Sequence, residues 1–171
     1  MPNGAYQVSE EPRQRMHWQL GGSGWAEWLW SIEGSEQRVV ASYVGPEVLG
    51  SFMGVVRDLL SGARSGFVTF FDEPGGARVF FNQTEGQVFV QIVGYPHLSE
   101  PQSWWKAADL LWAGRLPTAR FADAFMAMVD ELLDRYGTAG YRKRWGHDFP
   151  AEEWTALHTA HRLASHGGTN A

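Results

Sequence analysis

Six histidines are the residues in this chain best able to do chemistry. His158 and His161 stand three apart in a helical stretch and so share a side of it. His147 and Asp148 come just before that stretch, and Glu152 and Glu153 lie in its first turn. Two imidazoles and a carboxylate make a set that holds a divalent transition metal. The stretch contains no HExxH, and its spacing matches no zinc motif. It reads as a solvated polar helix face, and no metal or cofactor is expected.

Carboxylates come next. Glu27 lies within Trp25-Ala26-Glu27-Trp28-Leu29-Trp30, and Asp109 lies between Ala108 and Leu110. A carboxyl moved into dry surroundings holds its proton to higher pH and can act as a general acid or base. An enzyme using Glu27 or Asp109 is therefore one reading. The simpler one puts Glu27 on the wet face of a strand, flanked by rings, and no catalytic residue is assigned. Serine chemistry fails on position. Gly22-Ser23-Gly24 precedes a strand, whereas a nucleophile elbow follows one. The glycine pairs at 75–76 and 167–168 have no lysine and open no helix, so they are not phosphate loops. The chain has no cysteine, which removes disulfides, thiolate metal sites and thiol nucleophiles.

Charge narrows the partners. Lys plus Arg is 14 and Asp plus Glu is 19, a net charge of −5. A nucleic-acid binder needs a basic face that displaces counterions. The one basic run, Arg142-Lys143-Arg144 between Tyr141 and Trp145, is too small for that. It is expected to complement a helix dipole or to pair with Glu152 and Glu153. No nucleic acid is expected as a partner. Asp123, Asp130, Glu131 and Asp134 lie along one side of a helical stretch, an acidic strip facing solvent.

The elements that must position these residues are read from periodicity. Residues 1–15 read as a polar leader, 16–165 as a single α+β domain, and 166–171 as a tail. A short strand is expected over 16–20. Residues 25–33 alternate, with Trp28, Trp30 and Ile32 on one face and Glu27, Leu29 and Ser31 on the other. A turn at 33–36 returns the chain through a strand at 37–44. Pro46 then sits in the first turn of a helix over 46–61, whose stripe is Val48, Leu49, Phe52, Met53, Val56, Leu59 and Leu60. Strands at 66–72, 77–82 and 87–93, joined by tight turns, make a meander with both faces apolar. A helix should cover one face and something else part of the other. Residues 104–116 suit strand or helix and are read as a last strand. Thr118 caps a helix that Gly137 stops. Residues 138–149 are a loop, and Pro150 opens a last helix ending near 165. The order β-β-α-β-β-β-(β)-α-α, with the short leading strand beside it, is an antiparallel sheet with helices on one face.

Aromatic content is the one compositional oddity: nine Trp, ten Phe and five Tyr. Rings build small cores, and Trp and Tyr also anchor recognition surfaces. The first residues have neither the basic n-region nor the apolar h-region of a signal peptide, and no stretch is apolar enough to span a bilayer. A bacterial cytoplasm is the expected location, with no membrane partner.

The Trp-rich opening hairpin, the helix, the meander, the segment from Phe121-Ala122-Asp123-Ala124-Phe125 to Gly137, and Gly140-Tyr141-Arg142-Lys143-Arg144-Trp145 give the chain a type. It resembles small actinobacterial α+β proteins of the polymorphic-toxin immunity type. The resemblance implies a compact, acidic protein without catalytic residues that works by masking a toxin domain. The first functional reading is accordingly a non-enzymatic protein-binding domain with a basic partner. Its surface would be aromatic and acidic: Trp25, Glu27, Trp28, Trp30, Asp130, Glu131, Asp134 and Trp145. A small-molecule module is the alternative, with a pocket lined by Trp28, Trp30, Phe70 and Phe80. Homodimerisation through a strand edge is a further option.

Overall fold

The computed structural model describes residues 13–98 and 108–167. Most of the expected leader, the Trp104-Trp105 start of the ambiguous stretch and the last residues of the tail lie outside them. The fold is α+β: two antiparallel sheets and three helices.

The first sheet is the Trp-rich hairpin with a third strand added. It comprises β1 (Gln14–Gly22), β2 (Trp25–Ile32) and β3 (Ser35–Ser42), in that spatial order. β1 begins inside the expected leader, because Gln14 pairs with Ile32 and its amide oxygen accepts the Trp30 indole N–H at 3.0 Å. The turn between β1 and β2 demands glycine. Gly24 has φ of 78°, and the ring of Tyr43 fills the space where its side chain would stand.

Next comes α1 (Val48–Leu60), with Glu47 as its N-cap. The Glu47 carboxylate accepts from the Gly50 backbone N–H, so Pro46 falls before the helix rather than in its first turn. Four strands come after it: β4 (Ser65–Asp72), β5 (Gly75–Thr84), β6 (Gln87–Tyr95) and β7 (Asp109–Pro117), paired in sequence order. The ambiguous stretch therefore ends as a strand, with Val88 against Leu116 and Ile92 against Trp112.

α2 (Thr118–Trp145) runs past its expected end. Gly137 does break it, with φ 63° and ψ 177°, but the chain then re-enters the helix. The reason is burial. Tyr141 and Trp145, four apart and therefore on one face, are both fully buried. Residues 138–145, expected as loop, are thus a docked helical turn. α3 (Ala151–Gly167) packs on α1.

One core joins the layers. Phe52 of α1 is its centre, with its ring centroid 5.0 Å from Trp28, 4.6 Å from Phe125 and within 6.3 Å of Phe70, Phe81 and Phe121. Every ring in that group is fully buried. Such pairs add about 0.5–1.5 kcal/mol each beyond the area they bury.

A candidate interaction surface

The residues singled out for chemistry do not converge. His147 Nε2 lies 2.9 Å from the Tyr43 carbonyl, His161 Nε2 lies 2.7 Å from Asp123, and the His158 ring packs on Trp154 at 4.2 Å. Each imidazole serves a different contact. Among the described residues no group of three His, Asp or Glu is close enough to hold a metal ion.

Glu27 takes the opposite environment from that of a general acid. Arg38, diagonally across the β2–β3 ladder, donates its Nε to Glu27 Oε2 at 2.9 Å and a second N–H to Oε1. That hydrogen bonding holds the Glu27 carboxyl below its ordinary value against the opposing effect of burial, and the charge of Arg38 adds a lesser pull in the same direction. Asp109 is exposed at the start of β7. Neither carboxyl is in the dry pocket that an acid would need.

The expected aromatic surface is corrected too. Trp28, Trp30 and Trp145 are at most 1% exposed, and of the four tryptophans named only Trp25, at 39%, reaches solvent. Large rings went to the largest space available, between sheet and helices. The expected ligand pocket fails for the same reason. Trp28 stacks on Trp30 at 5.4 Å and on Phe70 at 6.2 Å, so these rings fill the space they would have lined. Phe80 belongs to the other side of the sheet.

The acidic strip is present but divided. Asp130 and Asp134 are exposed on α2. Glu131 instead reaches β1, 3.2 Å from His17 Nδ1 and 3.6 Å from Arg15. In the basic run, Arg142 pairs with Asp148 at 3.2 Å rather than with Glu152 or Glu153, and Arg144 lies over the Tyr136 ring at 5.0 Å.

Glu47 and Tyr141 form a pair that the sequence did not flag. The Tyr141 hydroxyl donates to Glu47 Oε1 at 2.6 Å, while Glu47 caps α1. Burial, then the neighbouring carboxylate charge and the bond to it, push the Tyr141 phenol far above its usual range. Its proton stays in place, and the bond ties the end of α2 to the start of α1. Glutamate is not a preferred N-cap, so no local pattern marked it.

What the fold leaves open is the outward face of the four-stranded sheet. Alternation along β4, β5 and β6 buries Val68, Phe70, Val79, Phe81, Val88 and Val90 against the helices. The intervening residues point away. Phe67 pairs with Phe80, Asn82 with Phe89, Val93 with Leu110, and Phe89 with Arg115. No described helix crosses this face. Phe67 is 56% exposed, and Leu110 and the neighbouring bulged Leu111 are 59% and 57% exposed. Phe67 and Phe80 meet at 5.9 Å, and Phe89 lies diagonal to Phe80 on the next strand. Arg78 sits 5.0 Å over Tyr95, and Arg115 sits 5.7 Å over Phe89. No outward position of the four strands holds Asp, Glu or Lys; Asp72, Glu73, Glu85 and Asp109 stand only at turns and strand ends. The meander's two apolar faces thus have different fates, and the sequence's expectation of a partial second cover has no counterpart among the described elements.

Among the described residues no helix is long and apolar enough to cross a membrane. Compared with known proteins, the sequence matches no family model and no curated protein.

Proposed function

We propose that this chain is a non-enzymatic protein-binding domain that acts by covering its partner, and that the outward face of β4–β7 is the surface it uses. One observation carries this reading. In a chain with 19 acidic residues, that face holds Phe67, Phe80, Phe89, Leu110 and two arginines, and no carboxylate. Interface cores are enriched in aromatics and Arg and depleted in Asp, Glu and Lys. Leaving such side chains in water forgoes about 1.5–3 kcal/mol for each large apolar group, so a patch of them marks a surface made to be covered. The rings that the sequence sets around a ligand pocket fill that space instead, since Trp28 is stacked on both Trp30 and Phe70. In its sharpest form the role is that of an immunity or inhibitor protein, with a toxin domain as the partner. The resemblance in element order and aromatic content supports that form.

The test compares three tagged proteins in lysate of the native host: wild type, Phe67→Glu/Leu110→Glu, and Asp130→Lys/Asp134→Lys. All four substituted side chains are exposed, so all three proteins should fold alike. The expected result is one stoichiometric protein held by wild type and by the α2 variant but lost by the sheet variant. Loss by the α2 variant alone would move the interface to the acidic helix. A labelled single-stranded oligonucleotide that binds wild type and not the sheet variant would replace the protein partner with nucleic acid.

A further inference from the structure

We propose that the outward face of β4–β7 closes on a second copy of this chain when no other protein covers it; the proposal rests on the reading of that face given above. The free charges of the face stand at opposite ends of its outermost strand. Arg115 is exposed near the end of β7, in a row across the sheet with Phe89, and lies 5.7 Å over that ring. Asp109 is exposed at the start of β7, beyond Leu110. Neither has an ion partner among the described residues. Arg78 stays within its own copy, because its Nε donates to the Thr69 hydroxyl at 3.3 Å and its guanidinium lies over the Tyr95 ring.

A face closes on its own copy about a two-fold axis lying either along its strands or across them. An axis along the strands sets β7 over β4 of the partner subunit, and Arg115 meets no carboxylate of β7. An axis across the strands sets β7 antiparallel over β7 of the partner subunit. Arg115 then stands over the partner subunit's Asp109, and the same symmetry returns the pair at the other end. Exposed Leu110 comes over the partner subunit's Ala113, large against small, and the outward rings of both copies are covered together. Sheets packed face to face sit about 10 Å apart, a gap that an arginine and an aspartate span between them. Asp72, Glu73 and Glu85 stand at turns and a strand end, on the rim of this contact, where water and salt screen them.

Area sets the strength of the dimer. Four strands about 4.8 Å apart, each about 26 Å long, give a face on the order of 500 Å² in projection. A standard interface buries about 800 Å² on each side, and smaller ones belong to transient contacts. The pair of copies is therefore weak and reversible. It shields the rings from water while the protein is alone, and it gives way to a partner that covers more surface. Mass action makes the free face scarcer as the chain's own concentration rises.

The test is sedimentation of the purified full-length protein from about 1 to about 500 μM. The variants are Phe67→Glu/Leu110→Glu, Arg115→Asp, and Arg115→Asp/Asp109→Arg. Wild type should pass from monomer to dimer across that range, and the sheet variant should remain a monomer. Arg115→Asp should weaken the dimer about tenfold or more, and adding Asp109→Arg should restore it. A dimer that the sheet variant still forms, or a loss that the second reversal does not rescue, would overturn the closure described here. Wild type that stays monomeric throughout would overturn self-association and leave the protein-binding face standing, since the lysate comparison judges that separately. A face-dependent dimer with no other protein held from lysate would overturn the reading of a different partner and leave the second copy as the occupant.

Discussion

Replacing Tyr141 by Phe removes one oxygen atom from the joint between α1 and α2. The hydroxyl belongs to a fully buried residue and donates to Glu47 at 2.6 Å, and Glu47 also accepts from Gly50. A hydrogen bond to a charged partner is worth about 1.5–3 kcal/mol. Glu47 is half-buried and can regain water, so the loss should sit at the low end, about 1.5 kcal/mol. For a chain of this size that lowers the melting temperature by about 3–6 °C. The pH dependence is more discriminating. The folded-state pKa of Tyr141 lies above its ordinary value of 10.0. The folded protein therefore keeps this proton where the unfolded chain loses it. The contribution is fully present below pH 10 and falls above it, by up to about 1.4 kcal/mol per pH unit. Urea denaturation of wild type and Tyr141→Phe, repeated from neutral pH to strong alkali, reads the gap directly. The gap should hold at about 1.5 kcal/mol to pH 10 and close about one unit higher. A gap of zero at neutral pH, or one that does not change with pH, would refute a buried Tyr141 donating to Glu47.

Phe52→Ala empties the centre of the ring cluster and should cost about 3–5 kcal/mol in equilibrium denaturation. Gly137→Ala forces a side chain onto φ 63°, ψ 177°, and should cost about 1–3 kcal/mol, with faster amide exchange over residues 138–145 than in wild type. The Glu27 carboxyl should titrate below 4.5 by NMR and return towards that value in Arg38→Gln, its stabilising contribution being present above 4.5 and lost as pH falls below it. Phe67→Ser/Leu110→Ser should leave the melting temperature nearly unchanged, since both side chains are largely exposed and brace nothing in the core.

The elements were legible because their patterns are local. Trp28, Trp30 and Ile32 alternate against Glu27, Leu29 and Ser31, and the structure keeps that division. Val48, Leu49, Phe52, Met53, Val56 and Leu59 form the buried stripe of α1 as spaced. Gly137 is recognisable as a breaker from its type alone. The helical turn beyond it is not, because that turn depends on Tyr141 and Trp145 finding burial, which is tertiary information. The surface was harder to read. Period two along β4–β6 says that both faces are apolar but not which one the helices cover. Residue type misled in the same way. Tryptophan suggested recognition, yet Trp28, Trp30 and Trp145 build the core, and phenylalanines at 67, 80 and 89 face outward. Overall acidity likewise concealed a face free of carboxylates, because composition carries no positions.

A photo-crosslinking residue tests the central claim most directly. Benzoylphenylalanine placed at position 67 stands on the outward face of β4, and at position 130 it stands on the exposed side of α2. Each protein is expressed in the native host and irradiated there. A discrete adduct with one other protein from position 67, with none from position 130, is the predicted result. No protein adduct from position 67, or one from position 130 instead, would contradict it.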